Sequence, residues 1–295
     1  MNHFHFRRAR PEDEAGVRAL SAHIWEGEDY VPERFHEWLA DKTGHFTVVY
    51  EGDELVAFSK LTELGPGEWW LEGLRVHPDH RGRGLARQLH DYAIALADEI
   101  GRGVLRFSTS SETKATHKLA ETTGFRLINR RWLAEIEIDA ALNHNMHLFS
   151  PVTAAELPQL RARLQHSPYF AASHGLMEYR WKTWEIMPRL AQLQADGRLY
   201  WWRNQAGFII FMAAEGRSSL SYLDAAEAEW ADLLRDVARW AAAAGSEKVQ
   251  TKSLATAAAR AALAAAGWEV DDEKELWVFE RPLKATGKMQ VDSAL

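Results

Sequence analysis

A mixed α/β fold built twice in one chain is what this sequence predicts, and three observations predict it. Apolar runs of strand length, broken at Gly- and Pro-containing turns, are interleaved with stretches of helical periodicity. The order of these elements in the first half returns in the second. The chain has 295 residues and 46% hydrophobic content, more than one typical core needs.

In order along the chain, His5 to Ala9 reads as a strand, and Pro11-Glu12-Asp13-Glu14 sets Pro and acids in the first turn of a helix carrying Val17, Leu20 and Ile24. A second helix spans Pro32 to Asp41. Three strands follow, His45 to Tyr50, Leu55 to Leu64 and Trp69 to Val76, joined at Glu51-Gly52-Asp53 and Gly65-Pro66-Gly67 as an antiparallel meander. Gly84 to Ile100 turns helical, with Leu85, Leu89, Tyr92 and Leu96 on one face. Val104 to Phe107 reads as strand, Thr113 to Thr122 as helix and Phe125 to Ile138 as strand.

The second half runs through Met146 to Ser150 (strand), Ala154 to Gln165 (helix) and Met177 to Gln194 (a longer helical region). Arg198 to Arg203, Gly207 to Ala213 and Leu220 to Leu223 form a second meander. Glu227 to Ala244 is helical, Val249 to Ser253 a strand and Ala257 to Ala266 a helix, its Ala-rich run a good helix former. Gly124-Phe125 and Gly267-Trp268 hold the same place in the two halves, 143 residues apart; Val104 and Val249 are 145 apart. A duplicated domain is therefore expected, with domains at 1–140 and 145–283, a join near Asp139 to Asn145 and a loose tail at 284–295.

Composition removes several function classes. The net charge is −7 and no stretch concentrates enough Lys and Arg to track a phosphate backbone, so nucleic acid is not an expected partner. The absence of Cys excludes a disulfide framework, a thiol nucleophile and a thiolate metal site. Met1 to Arg10 lacks the apolar stretch of a signal peptide and no later run approaches a membrane span, so a soluble cytoplasmic protein without membrane partners is expected. His3 with His5, and His144 with His147, have spacings a metal could use but no carboxylate cluster beside them; no metal is expected.

The chemistry concentrates in Val76-His77-Pro78-Asp79-His80-Arg81-Gly82-Arg83-Gly84-Leu85-Ala86, a strand that ends in a Gly- and Arg-rich turn and runs into an amphipathic helix. Unpaired N–H groups converge at such a helix start and favour a phosphate. Gly82 and Gly84 let the backbone approach it, and Arg81, Arg83 and Arg87 add charge. Lys-Ser/Thr after the last Gly, the mark of a P-loop, is missing, as are the third Gly and βαβ unit of a dinucleotide fold.

This segment resembles motif A of the GNAT superfamily of acyl-CoA-dependent N-acyltransferases, Arg/Gln-x-x-Gly-x-Gly/Ala, met by Arg81, Gly84 and Ala86. The element order from His5 to Gly124-Phe125 agrees. The resemblance implies tandem GNAT-like domains, each a mixed, mostly antiparallel twisted sheet flanked by helices, and acetyl-CoA or another short acyl-CoA as co-substrate. It implies that the amides of Gly82, Arg83, Gly84, Leu85 and Ala86 hold the CoA pyrophosphate, while Leu74 and Val76 pair with the pantetheine arm and acyl carbonyl. The position where the family often has Asn is Thr113, which is left to bond the cofactor or a water. The position of its frequent Tyr acid is Ala120, so no general acid is visible there; His117 is a weak substitute.

Direct attack of an amine on a thioester needs a proton acceptor. Glu72 is the candidate, on the strand leading to the turn and, by strict alternation, on the same face as Trp70 and Leu74. Glu63 is the second choice, and Glu63, Glu68 and Glu72 together suit a cationic acceptor, a small-molecule or peptide amine. In the second half the turn position reads Leu223-Asp224-Ala225-Ala226-Glu227-Ala228-Glu229, with no Gly and three acids. That half is expected to have lost CoA binding while keeping its core positions Leu233, Val237 and Trp240. The aromatics of Tyr179 to Trp184, with Trp201 and Trp202, are expected mainly in core and domain interface. Homodimerisation is left open, and a non-catalytic acyl-CoA-binding protein is the alternative function.

Overall fold

The computed structural model describes residues 4–139, 146–214, 216–243 and 245–284. His3, His144, most of the expected join and the tail beyond 284 lie outside the described residues. The described residues gather into two compact units, one of residues 4–107, 118–126 and 280–284, the other of residues 108–117 and 127–279.

The first unit begins with β1 (Phe4–Arg8), α1 (Glu14–Ser21) and α2 (Val31–Ala40), followed by β2 (His45–Glu51), β3 (Glu54–Gly65) and β4 (Glu68–Val76). α3 (Leu85–Ile100), β5 (Val104–Ser110) and α4 (Lys114–Thr122) come next. β1 to β4 pair antiparallel in chain order, and β5 joins β4 in parallel. One sheet face, through Phe46, Val48 and Phe58, packs on Val17, Leu20, Phe35 and Trp38 of α1 and α2. The other, through Val49, Ala57 and Val76, packs on Leu85 and Leu89 of α3. Each such fully buried apolar side chain contributes about 1.5–3 kcal/mol by area removed from water. Late in the chain, Glu280 accepts from Arg106 at 2.7 Å and Arg281 forks onto Asp98 at 2.8 and 2.7 Å, within this same unit.

The chain continues with β6 (Arg126–Glu137), β7 (Phe149–Pro151), α5 (Leu157–His166) and α6 (Pro168–Ala172), then β8 (Leu176–Tyr179), β9 (Lys182–Glu185) and α7 (Leu190–Ala195). The remaining elements are β10 (Leu199–Trp202), β11 (Gly207–Met212), β12 (Gly216–Asp224), α8 (Trp230–Ala243), β13 (Ser246–Leu254), α9 (Ala257–Ala265) and β14 (Glu269–Pro282). In the second unit β7, β10, β11 and β12 pair antiparallel and β13 joins β12 in parallel, the pairing pattern of β1 to β5. Both units are thus mixed, mostly antiparallel sheets flanked by helices. Trp201, Trp202, Leu233, Val237 and Trp240 are buried in the second core, whereas Trp181 is exposed.

One expected element is corrected. Met177 to Gln194 is not one helical region: Leu176–Tyr179 and Lys182–Glu185 form an antiparallel hairpin, and the helix starts only at Leu190. Arg180 and Trp181 make the two-residue turn with φ of +50° and +65°. That geometry normally announces itself with Asn or Gly, so the sequence carries no hairpin signal. β14 is a strand the periodicity missed. Among the described residues no helix is long and apolar enough to cross a membrane.

Candidate functional site

β4 is the element on which the site is built. Its register against β3 shifts between Phe58↔Arg75 and Lys60↔Glu72, so β4 holds one extra residue at a bulge. Gly73, with φ of +63°, makes that possible; a Cβ there would also lie 2.4 Å from the Trp38 ring. The bulge flips the alternation. Glu72 stands on the α1 and α2 face with Trp70, opposite Lys60 and beside Thr62, whereas Leu74 joins Val76, Leu85 and Leu89 on the α3 face. The expectation that Glu72 and Leu74 share a face is therefore corrected.

Glu72 is half-buried and accepts a hydrogen bond from Thr62 Oγ1 at 2.6 Å. Glu63, opposite Trp69, lies on the other face of β3 from Thr62, away from Glu72. Glu68 is buried in an ion pair with Arg106 at 3.1 Å, so it is a structural charge and not an acceptor contact as the sequence suggested. The β4–β5 ladder covers Glu68–Trp70 against Val104–Arg106 and, among the described pairings, does not continue through Leu71–Val76. The backbone of that stretch, Leu74 and Val76 included, keeps donors and acceptors outside the β5 ladder.

Beyond Val76 a single turn, Pro78–His80, leads to Arg81 in extended backbone. Gly82 and Gly84 then take φ of +75° and +77°, a left-handed conformation that favours Gly. A Cβ built on either meets no protein atom within 4 Å, so it is φ, and not crowding, that asks for glycine. Gly84 is the N-cap of α3 and offers no side-chain cap, which leaves the N–H groups of Leu85, Ala86 and Arg87 without partners inside the helix. The positive end of a 16-residue helix thus opens beside bare backbone.

The arginines divide. Arg83 forks onto Glu51 at 2.8 and 2.6 Å and lies 2.9 Å from His80 Nδ1; the fork holds the Glu51 carboxyl below its usual range. Arg87 bonds Asp91 at 2.7 Å and Thr122 at 3.0 Å. Arg81 has no carboxylate partner among the described residues, and its Nε donates to Val76 O at 3.4 Å. Arg81 is the cation left to meet an anion; Arg83 shapes the turn.

Glu54, His77 and His80 have potential ligand atoms within 4.8 Å of one another. His80 Nδ1 faces Glu51 at 2.9 Å and the Arg83 guanidinium, and a metal bound to this ring would sit beside that cation. The group reads as the hydrogen-bonded scaffold of the turn.

Thr113 and His117 fall in the segment 108–117 of the second unit. Thr113 Oγ1 donates to Ser110 O at 3.0 Å; His117 Nε2 lies 3.0 Å from Ser110 O, and its ring stacks on Trp277 at 4.4 Å. Ala120 is buried and its carbonyl accepts from Phe125 N, a packing role. The partners of the turn and of β4, notably Glu51, Asp29 and Trp38, were missed in the sequence because they lie tens of residues away and carry no local motif.

Comparison with known proteins agrees with this geometry. Residues 14–125 match the family model described as Acetyltransferase (GNAT) family. A histidine N-acetyltransferase from Xenopus tropicalis is 27% identical over 161 residues, 54% of this chain and 48% of that one. This chain therefore spans about half the length of the curated relative it matches. A GCN5-related N-acetyltransferase from Sphaerobacter thermophilus superposes with a TM-score of 0.62 at 14% identity, covering 97% of this chain and 98% of that one. A tandem GNAT protein from the clavulanic acid biosynthesis pathway does so at 0.58 and 15% identity, covering 96% and 100%. With the glycine turn, the bulged fourth strand and the repeated sheet in place, residues 14–125 match the GNAT acetyltransferase family and the chain has the fold of a tandem GNAT protein.

Proposed function

We propose that this protein is an N-acetyltransferase, moving an acetyl or other short acyl group from acyl-CoA to a primary amine. The observation that carries the reading is the bare left-handed turn Gly82–Gly84 at the uncapped start of α3, directly after a strand bearing Glu72. In this reading residues 1–140 are catalytic and residues 145–283 form a degenerate partner domain, in a cytoplasmic protein free to be a monomer or homodimer.

The amides of Gly82, Arg83, Gly84, Leu85 and Ala86 hold the pyrophosphate, with Arg81 as the available cation. Leu74 and Val76 offer backbone to the pantetheine arm. Acetyl-CoA, when bound, supplies the activated acyl thioester. Glu72, oriented by Thr62, takes a proton from the acceptor ammonium. The neutral amine forms the N–C bond as the C–S bond breaks, and the second nitrogen proton passes to the leaving CoA thiolate, directly or through water. A backbone N–H of the bulged stretch at Gly73 is our candidate for stabilising the oxyanion. The acceptor is a small-molecule or peptide amine; the name of the histidine N-acetyltransferase relative favours an amino-acid amine.

Steady-state release of CoA, measured over a panel of amino acids, peptides and simple amines, tests this. Turnover with at least one amine, lost in Glu72→Gln, is expected. Acetyl-CoA binding without turnover on any amine overturns it in favour of a non-catalytic acyl-CoA-binding protein.

A further inference from the structure

The transferase reading leaves open what the acceptor carries besides its amine, and the α1–α2 connection speaks to that. Past the bulge, Arg75 returns to the face of β4 that bears Glu72. Buried Asp29 holds Arg75 at 2.9 Å through Nη2 and 3.2 Å through Nε, and Ser21 Oγ donates to Asp29 at 3.1 Å. The guanidinium is neutralised and fixed. Two aromatic rings lie against it, Trp25 at 4.4 Å and Tyr30 at 5.6 Å from Cζ.

Trp25 is costly where it stands. It is 62% exposed, its φ is +46°, and Glu26 follows at +59°. A bulky residue rarely adopts left-handed backbone, and an indole facing water gains little for folding. Trp181 in the β8–β9 turn is also left-handed and exposed, so what sets Trp25 apart is its place: its ring lies against Arg75, on the face of β4 that bears Glu72. One ring face rests near Arg75, which leaves the remainder open. Tyr30, 39% exposed, stands edge-on to Trp38, the ring that closes over Gly73. Its hydroxyl is pushed up to about 12 by burial, with Arg75 opposing and the charges of Glu72 and Asp29 adding, so it lies within the field of the candidate base.

We propose that Trp25 and Tyr30 form an aromatic subsite beside Glu72, and that the acceptor is a primary amine bearing a flat aromatic ring. The ring packs on the indole and phenol while the ammonium points to the Glu72 carboxylate. Flat rings gain from offset or edge contact with other aromatics beyond the area they bury; saturated rings of the same size do not.

Phenylethylamine and cyclohexylethylamine separate these effects, since they share a carbon skeleton and differ in the π system. With acetyl-CoA saturating, the protein is expected to show a KM for phenylethylamine about 3- to 10-fold below that for cyclohexylethylamine. Trp25→Gly should bring the ratio close to one with acetyl-CoA affinity retained; Trp25→Phe should keep most of it. Because position 25 is left-handed, Gly removes the ring without new strain, and a melting curve verifies the fold. Equal KM values in the native protein, a ratio unmoved by Trp25→Gly, or acetylation of other amines but neither of these would overturn the subsite. If no amine at all is acetylated, the transferase reading has failed, and calorimetric Kd values for the same two amines decide the subsite by the same ratio.

Discussion

The fourth strands of the two units make the most informative pair in the molecule. Each carries a bulge, at Gly73 in β4 and at Ser221 in β12, where Ile210↔Tyr222 and Phe211↔Leu220 leave one residue extra. Each leaves its parallel neighbour part-way along, after Trp70 in β4 and after Leu220 in β12. The bulged, splayed strand is thus present twice; the carboxylate and the glycine turn beside it are not. The residue before the bulge is Glu72 in one and buried Leu220 in the other. Where the first unit has left-handed, uncrowded Gly82 and Gly84, the second has Ala226 in ordinary extended backbone, then Glu227 and Glu229 in the first turn. Tyr169 touches the ends of both splayed strands, its ring 5.4 Å from Tyr222 and its hydroxyl 3.5 Å from Leu254 N, with Trp230 packed at 5.4 Å. In the second unit side chains occupy the space between these strands, and acids stand where the first has its glycine turn. A bulge and a splay are properties of the fold; binding a phosphate requires glycine and an uncapped helix as well.

Changing the chemistry of one strand at a time should break this contrast. Glu72→Gln is expected to lower kcat by about 10²- to 10⁴-fold and to remove the acid limb of the pH–rate profile. Gly84→Glu, which gives the first turn the acid of the second, should weaken acetyl-CoA by at least about 100-fold in calorimetry, since like charges placed together cost several kcal/mol. Ala226→Gly in the second unit should create no binding, because the acids and Tyr169 remain.

Acid should discriminate between the units too. His90 is buried among Phe107 and Phe125 and is held down to about 4, chiefly by burial, with Asp91 opposing and Arg87 and Arg281 adding. Among the described residues the second unit buries no histidine. Below its ordinary 6.5 the unfolded chain takes up this proton, while the folded chain refuses it until about pH 4. This contribution to stability is therefore full above 6.5 and lost as pH falls to 4, on the order of 3 kcal/mol. Melting curves across that range should show the loss, and His90→Phe should reduce it, leaving the share of half-buried His45, which burial and then the charges of Arg8 and Lys60 also hold down to about 4. The smallest effect belongs to Thr62→Val, which removes the hydrogen bond that aims Glu72 and should cost kcat about 3- to 10-fold.

Much of this was legible in the sequence, and for identifiable reasons. Element order and the glycine turn are local properties, so periodicity and the Arg81 to Ala86 pattern found them. The face of Leu74 was not legible, because one bulge at Gly73 inverts an alternation that the sequence continues without a break. The Arg83–Glu51 fork joins residues 32 apart through the sheet, and Arg83 reads locally as a phosphate ligand. The β8–β9 hairpin hides behind Arg180-Trp181, residues that no turn preference selects.

Titration of the intact protein with acetyl-CoA in a calorimeter tests the central claim most directly. One molecule bound per chain, with the bound form shielding the amides of Gly82 to Ala86 from hydrogen exchange, is the result expected of one working and one filled site. No binding, two equivalents, or protection confined to residues 224–230 would contradict it.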